Sequence, residues 1–512
     1  MYRFFTHRKI MFRWKIIIWL AGLSVFQSCG SSDNYVIVDS ILNDETSFFY
    51  LDVRQYPQSD PALPVGIFDS GTGGLTVLDA IIRFDGFDNR TGEVISGGDG
   101  VPDFQKEWFI YLGDQANMPY GNYAAENNPE LLQEHIIKDV QFLLGGKYYR
   151  SAEAVTFETD KMPVKSIVIA CNTATAVGKD AIESFLEKAG LDIHVIGVIG
   201  AGVRGAFQHI QKSENCSIGV MATAETVASG GYKQAIERYI KKHKFSGSVA
   251  VFQQAGIGLA GAIDGSTEYI RPDATDPYGQ YRGPALQHSA AVIESTKLPR
   301  YDFDWTENRI LYSGSRENPD TIQLNSVENY IRYHIVSLLE QVRDASQPAP
   351  LKVIILGCTH YPFYSAQLRE QLQRLYHYQE NGQPVYQACL ADTIVLVDPA
   401  ENTARELYEF LLYRRLTNNA DLTRSEFYIS IPNRANPAVR LDAAGNFTYE
   451  YKYHRRAGEI QEYVRRVPFS RASIGGQTVQ RLQQEIPAVY RLIHDFNRLN
   501  SKTQYLSAAD RL

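Results

Sequence analysis

Two cysteines, Cys171 and Cys358, close matching segments 187 positions apart, VKSIVIACNTAT (164–175) and LKVIILGCTHYP (351–362). In each, four or five apolar residues predict a buried parallel strand, and the cysteine falls where a helix should begin. A thiol there meets the positive end of the helix dipole, which predicts a lowered pKa and a share of thiolate. If the two segments face each other across a cleft, the thiols are proton carriers on opposite faces of one substrate. Stereoinversion needs two such groups, because a single base that returns its proton to the same face gives exchange without inversion. A lone strand-end cysteine has a plainer reading as a small core hydrophobe. Here each has polar company, Asn172 and Thr173 after the first and Thr359 and His360 after the second, and the carboxyl ends of parallel strands are where α/β sheets bind ligands.

The elements that must position these thiols repeat the pattern. PVGIFDSGTGGLT (64–76) predicts a strand ending in Asp69 and Ser70 before a glycine-rich turn, and CSIGVMATAETVASGGY (216–232) predicts one ending in Thr223. Strand with Asp/Ser, strand with Cys, strand with Thr, strand with Cys is the order of a duplicated half. DSGTGG lacks the lysine of a phosphate loop and the spacing of GxGxxG, which argues against nucleotide binding. No CxxC pair occurs and the cysteines lie in separate strand ends, which argues against metal. A disulfide between Cys171 and Cys358 stays open.

FDSGTGGLTVL, YLGDQANMPYG, IACNTATA and LGCTHYP, in that order, resemble the signature set of the glutamate racemases in the cofactor-independent aspartate/glutamate racemase superfamily. MATAETVASGGY and LVDPAENTARELY extend the resemblance, which spans roughly 65–413. It implies an α/β fold of two pseudo-symmetric parallel-sheet domains with the site in the cleft between them. It implies inversion of an acidic amino acid, glutamate first, at Cα without cofactor or metal. By motif, Cys171 and Cys358 resemble the two acid/base residues, Asp69 the carboxylate assisting Cys171, and His360 a group assisting Cys358. Ser70, Pro119, Tyr120, Gly121, Asn172, Thr173, Thr223 and Thr359 match positions that hold the substrate. One departure is visible: where the family has a Cys-Pro step and then a glutamate, the chain reads QQAGIGLAGAIDG, with Asp264 the nearest carboxylate. Aspartate or a broader amino-acid range is the nearest alternative substrate, and a catalytically silent envelope amino-acid-binding protein the alternative of another class.

Residues 1–29 read as an export signal, with a basic start (Arg3, Arg8, Lys9, Arg13, Lys15), an apolar stretch from Ile16 to Phe26, and Ser28 before a lipidation candidate, Cys29. The apolar stretch is short for a bilayer span. The expected product is a lipoprotein anchored in the bacterial cell envelope, an unusual setting for a family that supplies D-glutamate for peptidoglycan from the cytosol. Disulfides can form there. Behind the signal, 30–62 reads as linker, 63–413 as racemase core with insertions at about 84–106 and 267–325, and 414–512 as a basic C-terminal extension. The first insertion carries Asp99, Asp103 and Glu107 without the spacing of a calcium loop; the second predicts a lid or contact surface beside the cleft. A net charge of −7 gives no reason to expect nucleic acid, although 413–512 holds 16 Lys and Arg against 9 Asp and Glu, dispersed as on a solvated surface. With 512 residues and 44% apolar content the chain can bury more than one core, and a homodimer stays open.

Overall fold

The structure, a computed structural model, describes residues 36–263, 265, 267–346 and 349–512. The export signal and Cys29 lie outside the described residues. Two parallel sheets organise the chain. The first holds β1 (Val65–Asp69), β2 (Phe109–Gly113), β3 (Ser166–Ile169) and β4 (His194–Gly197), and the second holds β5 (Cys216–Ala222), β6 (Val249–Ala255), β9 (Leu351–Gly357) and β12 (Leu390–Val397). In each set the spatial order is second, first, third, fourth: β2-β1-β3-β4 and β6-β5-β9-β12. The expected duplication is therefore present in the topology, and Cys171 and Cys358 each follow the third strand of their set.

Helices cover both faces, which is why β1, β2, β3 and β5 are buried along their whole length and read as apolar runs rather than alternating ones. In the first half these include α2 (Leu75–Arg83), α3 (Gly121–Ala125), α4 (Pro129–Leu144) and α5 (Asn172–Ala189). After α6 (Val198–Phe207), the second half brings α7 (Ala224–Ala228), α8 (Gly231–His243), α9 (Leu259–Ile263), α11 (Val327–Arg343) and α12 (Ser365–Tyr376). Residues 36–62 pack rather than hang: α1 (Val36–Leu42) buries Ile37 and Ile41, and Phe49 and Leu51 join the same core.

In the insertion at 84–106, carboxylates hold backbone N–H groups, Asp85 those of Asp99 and Gly100 and Asp103 that of Gly86. The one at 267–325 forms α10 (Leu298–Tyr301) and the hairpin β7 (Ile310–Gly314) and β8 (Pro319–Leu324), and buries Ile293, Tyr301 and Ile322 in the second core. A small ladder, β10 (Gln379–Glu380) and β11 (Gln383–Pro384), precedes β12.

After α13 (Pro399–Arg414) the chain returns to the first sheet. There β13 (Glu426–Pro432) pairs parallel with β2, and β14 (Val464–Pro468) antiparallel with β13. α14 (Tyr449–Tyr453), α15 (Gly476–Glu485) and α16 (Pro487–Leu499) complete it. Two of the arginines expected at the surface are buried, Arg465 and Arg466, and Arg466 donates to Asp139 at 3.0 Å. Pairing with carboxylate and carbonyl groups supplied by the first half makes that burial tolerable, an arrangement that dispersed charge in sequence does not announce.

Candidate active site

Cys171 follows β3 as the N-cap of α5, where its sulfur accepts the Ala174 N–H at 3.4 Å and its thiol donates to Ser70 Oγ at 3.7 Å. The position is the expected one, but the expected thiolate is not. Burial first, and then the charge of Asp69, push the thiol up to about 12. A helix N-terminus contributes a fraction of a charge, and at 8% exposure desolvation outweighs it.

Asp69 ends β1 at 7% exposure and lies within hydrogen-bonding reach of Cys171. Its Oδ2 accepts the N–H groups of Gly71 at 3.1 Å and Gly74 at 2.9 Å, which tie the glycine-rich turn around the carboxylate. Gly74 has to be glycine: a Cβ there would lie 2.5 Å from the Asp69 Cβ and 2.8 Å from the Ala170 Cβ. Burial raises the Asp69 pKa against those hydrogen bonds. Beneath the turn, Tyr111 donates to Gly71 O at 2.7 Å.

Cys358 follows β9 at 6% exposure, with its sulfur 3.6 Å from His360 Nδ1. Tyr361, missed by residue-type reasoning although it stands in the same motif, is fully buried beside it. Burial above all, with Cys358 and Glu225 adding, holds the phenol well above its ordinary pKa. Gly256 makes room for Tyr361, since a Cβ on Gly256 would lie 2.0 Å from that hydroxyl. Asp264 lies outside the described residues.

Asn172 joins the halves. Its amide donates to Gly357 O at 3.2 Å and accepts from Tyr232 OH at 3.1 Å. The residue after one cysteine is therefore hydrogen-bonded to the residue before the other. Thr173 stands half-buried in the first turn of α5, and Thr223 caps α7 through the Thr226 N–H at 3.3 Å. Pro119 follows a cis peptide bond. The Tyr120 hydroxyl lies 2.6 Å from an Asp114 carboxylate oxygen and 2.8 Å from one of Asp139, so it is engaged between two carboxyl groups. Gly121 touches the side chain of Glu225 from the second half, a contact without a sequence signal.

A cavity of about 230 Å³ is lined by Cys358, Thr359 and Asn172 together with Asp79, Arg83 and Asp398; Cys171, Asp69 and Ser70 are not in its lining. Cys171, Cys216, Cys358 and Cys389 are free thiols. Among the described residues, no group of three or more His, Cys, Asp or Glu side chains is placed to hold a metal ion, and no helix is long and apolar enough to cross a membrane.

Known proteins are similar to this chain. The glutamate racemase of Oceanobacillus iheyensis is 26% identical over 70% of this chain and 82% of its own. That of Mycobacterium ulcerans is 27% identical over 76% of this chain and 89% of its own. A solved glutamate racemase isoform from Bacillus anthracis aligns with a TM-score of 0.40 at 22% identity, over 71% of this chain and 86% of that one. No family model matches. The duplicated sheets, with a cysteine at each third strand, and these relatives define an amino-acid racemase, an isomerase. Over most of its length the chain is similar to the glutamate racemases of the aspartate/glutamate racemase superfamily.

Proposed function

We propose that the chain interconverts L- and D-glutamate, with Cys171 and Cys358 as the two proton carriers. The observation that carries this reading is the pairing of the two thiols at equivalent strand ends, stitched by the hydrogen bond from Asn172 to Gly357. With its raised pKa Cys171 rests as the thiol, so it is the donor in one direction, while Cys358 beside His360 takes the Cα proton from the opposite face. In the reverse direction Asp69, within hydrogen-bonding reach, draws the proton from Cys171. The carbanion-like transition state is stabilised by donors already fixed in place: backbone N–H groups at the start of α5, the Ser70 and Thr359 hydroxyls and the Asn172 amide. Exclusion of water strengthens each of them. We also propose that residues 1–29 direct export and that Cys29 carries a lipid anchor, which places the activity in the cell envelope.

The deciding experiment incubates the purified, reduced full-length chain with L-glutamate, and separately L-aspartate, in D2O, and follows loss of Cα–H by NMR together with optical rotation. Deuterium uptake with inversion of glutamate, lost in Cys171→Ser and in Cys358→Ser, supports the reading. Inversion of aspartate instead moves the substrate, and no exchange with either amino acid removes the racemase mechanism. Export and anchoring are read from membrane fractionation of wild type against Cys29→Ala; equal recovery in the soluble fraction would overturn the anchor.

A further inference from the structure

Pro119, Tyr120 and Gly121, which match substrate-holding positions, lie in a segment that the C-terminal extension straps down. Ser430 of β13 donates to Asp114 at 2.6 Å and accepts the Ala116 N–H at 3.0 Å. From α14, Lys452 donates to Met118 O at 2.7 Å, and Tyr449 donates to Glu126 Oε1 at 2.5 Å. The Tyr453 hydroxyl lies 3.5 Å from Pro119 O and accepts from the Asn122 amide at 3.2 Å. His454, at the C-terminal cap of α14, closes the strap: its Nε2 lies 2.9 Å from Glu126 Oε2 and its Nδ1 2.7 Å from Glu450 Oε2. The same segment meets the second half at Gly121, where a Cβ would lie 2.3 Å from the Cγ of Glu225, two residues beyond Thr223.

Both ring nitrogens of His454 face carboxylate oxygens, which accept and do not donate when ionised. Each nitrogen must then carry a proton, so the arrangement calls for the imidazolium, and a neutral ring can donate to only one of the two glutamates. The charged and titratable groups that face the ring are Glu450 and Tyr449 on its own helix and Glu126 on the opposite segment. Lys452 is engaged with Met118 O, and the Arg455 guanidinium lies over the Tyr451 and Tyr463 rings at 4.4 and 4.0 Å. We propose that His454 is a positioning residue for substrate binding: as the imidazolium it holds α14 to the segment at 118–126 and fixes the wall formed by 119–121, and on losing its proton it lets that wall loosen. Hydrogen bonds to Glu126 first, and then to Glu450, raise its pKa above the ordinary value of 6.5. The strap is therefore complete below that ordinary value and is lost as pH rises through the raised one.

This inference rests on the racemase reading, and the readouts keep the two apart. Full-length wild type, His454→Arg, His454→Gln and Glu126→Gln are compared from about pH 6 to about pH 9 by KM, kcat and calorimetric Kd for L-glutamate, and by amide hydrogen exchange of the segment at 114–128 corrected for its intrinsic pH dependence. His454→Arg, a cation throughout this range, is the reference that cancels every other titration. Relative to it, the wild-type KM and Kd should rise about two- to fivefold from the acid to the alkaline end, with the kcat ratio changing by less than about twofold and exchange of the segment rising in step. His454→Gln should be weak-binding and Glu126→Gln, whose amide can pair with a neutral ring, should be level across the range. A constant ratio of wild type to His454→Arg in KM, Kd and exchange would overturn the inference while leaving the racemase intact. Exchange that loosens with pH while KM and Kd keep a constant ratio would overturn the positioning role in favour of a structural one. Wild type that binds glutamate without racemising it would fail the mechanism, and the pH dependence of Kd would still decide the role of His454. Wild type that neither binds nor racemises glutamate would refute both.

Discussion

Asp69→Asn should move the two properties of Cys171 in opposite directions. The substitution removes a charge and keeps the shape, since an amide oxygen can accept the Gly71 and Gly74 N–H groups that now reach Asp69 Oδ2 at 3.1 and 2.9 Å. Cys171 is pushed up to about 12 by burial and next by Asp69, so loss of that charge lowers it while burial keeps it above an ordinary thiol. A unit charge about 4 Å away at an effective dielectric of 20 is worth about 4 kcal/mol. The two N–H groups already offset part of this field, leaving on the order of 1.4 kcal/mol at the sulfur, a tenfold change in thiolate population. The assay is alkylation of Cys171 by iodoacetamide in a Cys358→Ser background, read from the mass of its peptide across the alkaline range. At any pH below its titration, Asp69→Asn should alkylate about tenfold faster. With both cysteines present, the proposed mechanism expects the same substitution to slow racemisation by about 10²- to 10⁴-fold, because it makes Asp69 the relay for the Cys171 proton. Unchanged or slower alkylation would refute the electrostatic account, and undiminished racemisation would remove Asp69 from the proton path.

Three further outcomes are expected. Gly256→Ala puts a methyl 2.0 Å from the Tyr361 hydroxyl, so the ring must leave Cys358 and turnover should fall by about tenfold or more; full activity at an unchanged melting temperature would contradict this placement. Asn172→Ala removes the bonds to Gly357 and Tyr232 and should cost about 2 kcal/mol in denaturant melts; a cost below about 0.5 kcal/mol would mean that the halves are held together elsewhere. Asp398 caps α13 through the Ala400 N–H at 2.8 Å, and burial raises its pKa to about 6. The unfolded chain therefore ionises this group first, and the penalty on the fold grows between its ordinary value of 3.8 and about 6 and is full above that. Asp398→Asn keeps a good cap and should stabilise by about 1 to 2 kcal/mol at neutral pH, an advantage that disappears below about pH 4 and that equal melting of both proteins at pH 7 would disprove.

The candidate site residues are legible because each sits at a strand end where pattern and motif are local. Asp69, Cys171, Thr223 and Cys358 follow apolar runs that could be read one segment at a time, and the repeated strand order is visible from those runs alone. What escaped was non-local. The raised pKa of Cys171 is set by enclosure and by Asp69, 102 positions earlier in the chain, and no property of its own segment reports either. The packing of Ile37 and Ile41 gives only two helical turns of periodicity, too few to separate from a linker. His454 lies outside every motif; its contact with Glu126 joins positions 328 apart, a tertiary event.

The route of the chain through its two sheets also has a consequence in time. The second sheet draws on one continuous stretch, 216–397, whereas the first takes β1 to β4 from 65–197 and recovers β13 and β14 only from 426–468. As the chain leaves the ribosome, the half made first is the half completed last, and the outer edge of β2 stays an unpaired template until β13 arrives. A chain stopped at 413 would retain every motif cysteine and still present that edge to its neighbours, so the C-terminal hundred residues act as the closure of the first sheet.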